Sequence, residues 1–335
     1  MSTTARTPAS APAVGMILGS CVSLQFGAAI AVHLFPAMGS WGVTTMRLGL
    51  AAAILLVVVR PRVRRWTWSQ WRSVGLFGLA LGGMNGSFYC AIERLPLGAA
   101  VAIEFLGPLL LSAVLSRRAV DLAWVALAFT GIGLLGVESA TQADSLDFVG
   151  VLFALVAGSF WALYIIASAR VGDAVPGAGG LAVALAFSTV FVLPLGASGA
   201  MRALDDPILL VGVLAVAVLS SVIPYTLEFA ALRRLPRHVF SILLSLEPIV
   251  AALAGWVLLN QPTGPLRLAA IVLVIAASIG TVVTARSVSG RDERLDGATF
   301  VHGGEGLGDV AEREVEVEDQ AGVDLSRPRQ IHEVR

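Results

Sequence analysis

The stretch LGAAVAIEFLGPLLLSAVLSRR, residues 97–118, decides the class of fold. Its first twenty residues carry one charged side chain, Glu104, and two arginines follow directly. A helix of about 20 mostly apolar residues is long enough to span the hydrocarbon core of a bilayer. The stretch therefore predicts a membrane-spanning helix with an ionisable group inside it.

Nine further stretches of the same kind follow one another along the chain, joined by short connectors. Charged residues make up 14% of the chain, against about a quarter in soluble proteins. We predict an all-α membrane protein with ten transmembrane helices. The predicted helices span residues 14–34, 40–59, 73–92, 97–116, 120–138, 147–169, 178–197, 207–232, 238–259 and 265–285.

Arginine is concentrated in every second connector. The connectors after the second, fourth, sixth and eighth helices contain Arg60, Arg62, Arg64, Arg65, Arg72, Arg117, Arg118, Arg170, Arg233, Arg234 and Arg237. The connectors on the other side contain only Arg94, Arg202 and Arg267, and the one at 138–147 is purely acidic. Cytoplasmic loops carry the excess of basic residues. We therefore predict a multi-pass protein of the cytoplasmic (inner) membrane with both termini in the cytoplasm.

The two halves of the chain repeat in register. The tripeptide Arg-Leu-Pro at 94–96 recurs at 234–236, and Pro108 recurs as Pro248, both at a spacing of 140 residues. Five helices in each half is an odd number, so the second half must enter the membrane from the opposite face. We predict two inverted five-helix repeats at 14–138 and 147–286, an arrangement that many secondary transporters use.

Both ends of the chain lie outside these repeats. Residues 1–13 are predicted to be a cytoplasmic N-terminal segment. Twelve of the 23 acidic residues follow Gly290, so the part before the tail has 17 arginines, 11 acidic residues and a net charge of +6. The tail at 287–335 has too few large apolar residues to offset chain entropy. We predict that it is a disordered, acidic, cytoplasmic tail.

Three polar residues are predicted at a similar depth in the outer half of the membrane. Arg47, Asn85 and Glu104 each lie roughly 10 Å from the outer ends of their helices at 1.5 Å per residue. A charge at a helix centre costs roughly 2.5–3.5 kcal/mol on insertion scales. One explanation is structural, because Arg47 and Glu104 could neutralise each other as a buried pair. The other is that this outer cluster binds a solute.

A second cluster is predicted in the inner half. Glu247 lies roughly 13 Å from the inner end of its helix by the same rise, with Tyr225 near its level and Glu228 about one turn shallower. Glu228 could instead reach the inner interface or pair with Arg233 or Arg234. Glu247 has no basic residue at its depth, which favours a role in binding or in carrying a proton.

Pro108 and Pro248 each lie in the middle of a predicted helix. Proline removes the backbone hydrogen bond to the residue four positions earlier and kinks the helix, which frees the carbonyl groups of Glu104 and Leu244. Taken singly, each proline can be explained as a residue that simply bends its helix. Their equivalence in the repeat indicates a shared architectural role.

Motifs of enzyme chemistry are missing from the sequence. It contains no phosphate-binding glycine loop, no HExxH and no Cys/His cluster with metal-ligand spacing. Cys21 and Cys90 both lie in apolar runs, so we expect two buried, unpaired thiols. The tryptophans beside arginines at 62–71 indicate an interfacial anchor. We predict no enzyme activity, no cofactor, no metal and no nucleic-acid partner.

Five strings resemble the drug/metabolite transporter superfamily with its paired EamA-type repeats, and within it the threonine/homoserine exporters. They are GVTTMRL (42–48), LGGMNGSFYCAIERLPLGAAVAIEFLGPL (81–109), SRRAVDLAWV (116–125), PYTLEFAALRRLP (224–236) and LLSLEP (243–248). The resemblance covers about residues 14–286, and all six polar site candidates fall inside these strings. It implies ten helices in two inverted halves and export of small metabolites driven by an ion gradient. The chain departs from the EamA pattern at Asn260-Gln261, where such repeats often carry Gly-Glu.

The leading hypothesis is a secondary transporter that exports small neutral amino acids, such as threonine or homoserine, by proton antiport. Glu104 or Glu247 would bind the substrate ammonium, Arg47 its carboxylate, and Glu247 the proton. Efflux of another metabolite or of a lipophilic drug is an alternative, because such folds change cargo readily. A non-transporting membrane sensor or scaffold that acts through its tail is the alternative from a different class.

Overall fold

A computed structural model describes residues 11–116, 119–141, 147–175, 177–232, 234, 237–262 and 264–284. The regular secondary structure of this part of the chain is entirely helical, with no strand. The predicted tail at 287–335 lies outside the described residues, as do the first ten residues of the N-terminal segment.

Twelve α-helices follow one another in the described ranges. They are α1 Ala11–Val59, α2 Trp68–Ile92, α3 Leu97–Glu104, α4 Leu106–Ser116, α5 Ala119–Thr141, α6 Phe148–Ala174, α7 Gly179–Asp205, α8 Pro207–Ala217, α9 Ile223–Leu232, α10 Arg237–Leu244, α11 Glu247–Leu259 and α12 Pro265–Thr284. A short 3-10 helix at Val63–Arg65 precedes α2, and a π-helix at Val218–Val222 joins α8 to α9.

Eight segments of the described chain are long and apolar enough to cross a membrane. The first, Pro12–Val59, has 48 residues, which is roughly 70 Å of helix at 1.5 Å per residue and more than twice the hydrocarbon thickness of about 30 Å. A shorter apolar helix covers Ala119–Leu135. The all-helical membrane fold is therefore confirmed, whereas the count of ten crossings stays a prediction.

Gly39 breaks α1 in the middle. Its backbone has φ 69° and ψ 159°. Residues other than glycine rarely adopt this conformation. The sequence predicted a connector over 35–39, yet the helix continues through Pro36 and the break is confined to one residue. The predicted connector was therefore too long, because a single glycine suffices for the change of direction.

Two of the predicted helices are interrupted four residues before a proline. The first ends at Glu104, before Pro108, where α3 gives way to α4, and the second ends at Leu244, before Pro248, where α10 gives way to α11. Proline lacks the N–H that would bond to these two carbonyl groups. Both interruptions fall where the sequence predicted free carbonyls, and they lie 140 residues apart.

A pair of glycines allows α6 to approach the first interruption. A Cβ added at Gly158 of α6 would lie 2.6 Å from the carbonyl oxygen of Glu104, and one added at Gly107 of α4 would overlap the backbone of Gly158. Only residues without a side chain permit such an approach. The backbone of α6 therefore packs directly against the freed carbonyl.

Helices of the first half pack mainly on helices of the second. α1 packs along α7, α8 and α9, α2 along α6 and α7, and α3 against α11. The departure from the EamA pattern lies at one of these contacts, because the Gln261 side-chain oxygen accepts a hydrogen bond of 3.0 Å from the backbone N–H of Leu97, the first residue of α3. The interior of the protein is thus shared between both halves.

Candidate functional site

A cavity of about 560 Å³ lies between helices of both halves. Its volume falls within the range of small-molecule sites, about 300–1,000 Å³. Its lining includes all six polar residues that the sequence singled out, together with Pro108 but not Pro248: Arg47, Asn85, Glu104, Tyr225, Glu228 and Glu247. The predicted outer and inner clusters therefore face one common space.

Arg47 is a buried cation held by neutral groups. Its guanidinium donates from Nε to the Ser221 hydroxyl at 3.1 Å, and from Nη2 to the Asn85 side-chain oxygen and to the Ser220 carbonyl at 3.3 Å. The guanidinium carbon also lies 4.9 Å from the centre of the Tyr89 ring, within the range of cation–π attraction. Nη1 has no hydrogen bond to any described residue and remains available for a ligand.

Local backbone structure places two of these acceptors. Ser220 and Ser221 belong to the π-helix at Val218–Val222, and such single turns often mark functional sites in helices. The Asn85 amide nitrogen donates to the Leu81 carbonyl at 2.8 Å, which leaves its oxygen directed at Arg47. The orientation of the guanidinium is therefore fixed from two helices.

Arg47 and Glu104 do not form the buried ion pair that offered the structural explanation for both. Their side chains are not within ion-pair distance of each other, unlike the carboxylate of Asp147 and the guanidinium of Arg94, which pair at 3.0 Å. Glu104 ends α3, is 7% exposed and makes no hydrogen bond to a described residue. Both of its carboxyl oxygens can therefore accept hydrogen bonds from a ligand in the cavity.

Glu247 begins α11 and has one protein partner. Its Oε1 accepts a hydrogen bond of 3.1 Å from the side-chain amide of Gln25, which is 1% exposed. The other atom of that amide, Oε1 of Gln25, is buried without a partner in the described structure. Sequence reasoning missed Gln25, although it is the one glutamine within the ten predicted helices.

Glu228 is half-buried and accepts a hydrogen bond of 2.7 Å from the Ser20 hydroxyl. Arg234 is exposed and forms no ion pair with it, and Arg233 lies outside the described residues. The pairing that the sequence left open is therefore not seen with Arg234. Ser20 was also missed, because a serine in an apolar helix is more often a packing residue.

The rest of the cavity wall includes both aromatic rings and hydroxyl groups. The rings of Phe105 and Trp161 meet edge to face with centres 4.7 Å apart, and Ser245 and Ser278 share a hydrogen bond of 2.7 Å. The lining continues to residues near helix ends, Ser112, Ser168, Phe240 and Val282. Ser112 and Phe240 lie near the connectors that contain Arg117, Arg118, Arg233 and Arg234.

Metal-ligating side chains are not grouped in the described part of the chain, where no three His, Cys, Asp or Glu residues could hold an ion together. Cys21 and Cys90 are both buried and unpaired, as predicted.

Comparisons with known proteins agree with the resemblance. The profile of the EamA-like transporter family matches residues 148–283. The threonine/homoserine exporter RhtA of Escherichia coli K12 is 39% identical over 274 residues, which cover 82% of this chain and 92% of that protein. RhtA of Salmonella typhimurium LT2 is 40% identical over 271 residues, or 81% and 91% of the two chains. A solved crystal structure of a protein 20% identical in sequence superposes with a TM-score of 0.55. The match covers 82% of this chain and 98% of the other chain, so the two share the fold.

Proposed function

The chain belongs to the EamA-like transporter family, and we propose that it exports small neutral amino acids, threonine and homoserine among them, by proton antiport. It is a multi-pass transporter of the inner membrane rather than an enzyme. The cargo is proposed from relatives that are 39–40% identical over most of the chain and carry the name threonine/homoserine exporter.

One observation carries the proposal. A single cavity contains the guanidinium of Arg47, whose Nη1 donates to no described residue, and the carboxyl group of Glu104, which makes no hydrogen bond to a described residue. An amino-acid zwitterion needs a cation for its carboxylate and an anion for its ammonium, and such charge-assisted hydrogen bonds are the strong ones. Arg47 would therefore bind the substrate carboxylate and Glu104 its ammonium.

Glu247 is assigned to the proton. It lies in the same cavity and is held by the amide of Gln25, a neutral group that leaves the carboxyl group free to exchange its proton. On the cytoplasmic side, binding of the substrate ammonium would accompany release of that proton. On the outer side, release of the substrate would let a proton from outside take its place.

The cavity is proposed to face the cytoplasm in this structure. Its lining reaches the helix ends near Ser112, Ser168, Phe240 and Val282, and these are the ends predicted to lie on the cytoplasmic side from the distribution of arginine. An exporter loads its cargo in such a conformation. Cytoplasmic placement of both termini forms part of the same proposal.

Ten membrane crossings in two inverted halves are proposed as the architecture. The break at Gly39 divides the 48-residue segment into two helices, and the apolar helix Ala119–Leu135 would supply a further crossing. The equivalent interruptions before Pro108 and Pro248 support the repeat. The family profile matches 148–283, close to the predicted second half at 147–286.

Efflux of another metabolite or of a lipophilic compound is the second candidate. It is favoured by the aromatic part of the cavity wall, where Phe88, Phe105, Trp161, Tyr164 and Phe240 present apolar surface. Stacking against such rings would hold a larger apolar cargo without an amine-selective contact. Resistance of cells to lipophilic toxicants, without threonine export, would favour this candidate.

Export from cells tests the proposal. Cells with and without the protein are loaded with a dipeptide that contains threonine, and threonine in the medium is measured with and without an uncoupler. We expect faster export that the uncoupler suppresses, and equal export by the control Glu93→Gln, because Glu93 is exposed and lies outside the cavity. Equal export with and without the protein, when it is present in the membrane, would remove the cargo assignment.

A further inference from the structure

A second cavity lies at the surface between the first turns of α2 and the last turns of α6. It has a volume of about 630 Å³ and shares no lining residue with the cavity described above. Its polar end consists of Ser69, Arg72, Ser73 and Arg170, and its apolar end includes Leu76 and Leu79. None of these residues takes part in the proposed transport.

The two arginines of this cavity have no acidic partner in the described part of the chain. Arg72 and Arg170 are exposed and make no ion pair or hydrogen bond with any residue that the structure describes. Arg170 is not paired even with Asp173, three residues further along α6. Two cations therefore line one cavity whose described lining contains no acidic side chain.

The backbone holds this arrangement in place. Ser69, Arg72 and Ser73 are spaced so that they share one face of α2. The Gln70 side chain on the same turn donates a hydrogen bond of 2.6 Å to the Ala174 carbonyl, the last residue of α6. Thr67 and Gln70 also form a capping box at the start of α2. The two helix ends are therefore tied together, and both arginines project from fixed backbone.

The cavity changes from polar to apolar along α2. Leu76 and Leu79 lie roughly 10 and 15 Å beyond Ser69 at 1.5 Å per residue. The candidate membrane span begins at Trp68, whose side chain is 77% exposed, and tryptophan favours the membrane interface. The polar end thus lies at the membrane boundary and the apolar end within the hydrocarbon. A lipid has the same arrangement, with its headgroup at the interface and its acyl chains in the hydrocarbon.

We propose that this cavity binds an anionic phospholipid. Arg72 and Arg170 bind the headgroup phosphate through their planar donor groups, Ser69 and Ser73 donate from their hydroxyls, and an acyl chain lies along Leu76 and Leu79. Basic pockets between transmembrane helices recognise such headgroups in general. The connector at 60–72 has five arginines and no acidic residue, which adds attraction for anionic over zwitterionic lipid.

Lipid retention by the purified full-length protein tests the proposal. The protein is incubated with equal amounts of phosphatidylglycerol and phosphatidylcholine of the same acyl chains, and native mass spectrometry measures the bound ratio. We expect phosphatidylglycerol to be preferred. The double variant R72Q/R170Q should lower that ratio by about fivefold for each arginine removed, since a basic residue near a charged bilayer contributes roughly 1 kcal/mol.

Matched variants and a soluble competitor make the result specific. The control R62Q/R64Q removes two exposed arginines of the same connector that do not line the cavity, and it should lower the preference clearly less than R72Q/R170Q does. The variant R72K/R170K keeps the charge and should retain most of it. An equal loss in R72Q/R170Q and R62Q/R64Q would overturn the site. Displacement of the lipid by glycerol phosphate at matched concentration would overturn the lipid assignment in favour of a free phosphate site.

Discussion

Arg47 shows how this protein keeps a charge within its helices. Burial of an ion costs several kcal/mol of free energy unless hydrogen bonds compensate it. Here the guanidinium donates hydrogen bonds to three neutral oxygens and lies over one aromatic ring. The sequence locates Arg47 because a charge in an apolar helix is rare. It gives no sign of Ser220 and Ser221, which are 173 and 174 residues away and reach Arg47 through a π-turn that has no periodic signature.

Replacement of Arg47 tests its proposed role in binding the substrate carboxylate. Arg47→Gln is expected to raise the KM for threonine export by about ten- to a hundredfold, because a hydrogen bond to a charged group contributes roughly 1.5–3 kcal/mol. Arg47→Lys keeps the charge without the planar fork and should lie between. Efflux from vesicles at several internal threonine concentrations, corrected for the amount of inserted protein, measures the KM. An unchanged KM in Arg47→Gln would contradict the assignment.

Substitutions of Glu247 and Glu104 are expected to impair threonine transport in different ways. Glu247→Gln keeps the shape but cannot release a proton, so it should abolish the response of threonine efflux to a pH gradient. Exchange of labelled for unlabelled threonine at equal pH should continue. Glu104→Gln should weaken both, because it removes the anion for the ammonium. The two assays are run on the same vesicles, and a pH response that survives in Glu247→Gln would show that another group carries the proton.

Helix interruptions differ in how far the sequence predicts them. Those before Pro108 and Pro248 could be predicted, because the missing N–H is a property of proline itself. The close contact of α6 with the first interruption could not, because the sequence does not reveal that Gly158 faces Glu104. Pro36 shows the converse case, since it lies within a helix that continues past it, and membrane helices tolerate such prolines.

The glycine contact can be tested with a control on the same helix. Gly158→Ala is expected to destabilise the protein by roughly 1–3 kcal/mol, the usual effect of overpacking, because its Cβ would collide with the Glu104 carbonyl. Gly172→Ala should have little effect, since an added Cβ there meets nothing within 4 Å. Thermal unfolding in the same detergent compares the variants. Equal unfolding temperatures for the two would mean that the contact is not tight.

The start of α6 is expected to be sensitive to pH. A hydrogen bond from Arg94 lowers the pKa of the Asp147 carboxyl group, and so do the backbone N–H groups of Val149 and Gly150. A lowered pKa gives stability that is present above the unfolded pKa and lost as pH falls through the folded pKa. Asp147→Asn removes the ion pair but keeps the cap. It should therefore lower the unfolding temperature at neutral pH and match the parent chain below the folded pKa of Asp147, and a pH-independent difference would contradict this.

At the scale of the whole molecule, the cavity lies between the two halves of the chain, which the sequence predicts as separate repeats. The helices of one half pack on those of the other, and Arg47 and Glu104 meet Tyr225, Glu228 and Glu247 in one space. The residues could be predicted, because each is a polar interruption of an apolar helix. Their convergence could not, because depth along a helix does not determine which faces meet. Only the packed structure joins the two predicted clusters.

Uphill uptake of threonine tests the central claim of proton-coupled transport most directly. The purified protein is reconstituted into vesicles with an acidic interior in a less acidic medium that contains labelled threonine. Proton antiport predicts accumulation inside above the external concentration, whichever way the protein is inserted, with collapse on addition of a protonophore and no accumulation by Glu247→Gln. Threonine that merely equilibrates across the membrane, or that accumulates equally without the pH gradient, would contradict the account.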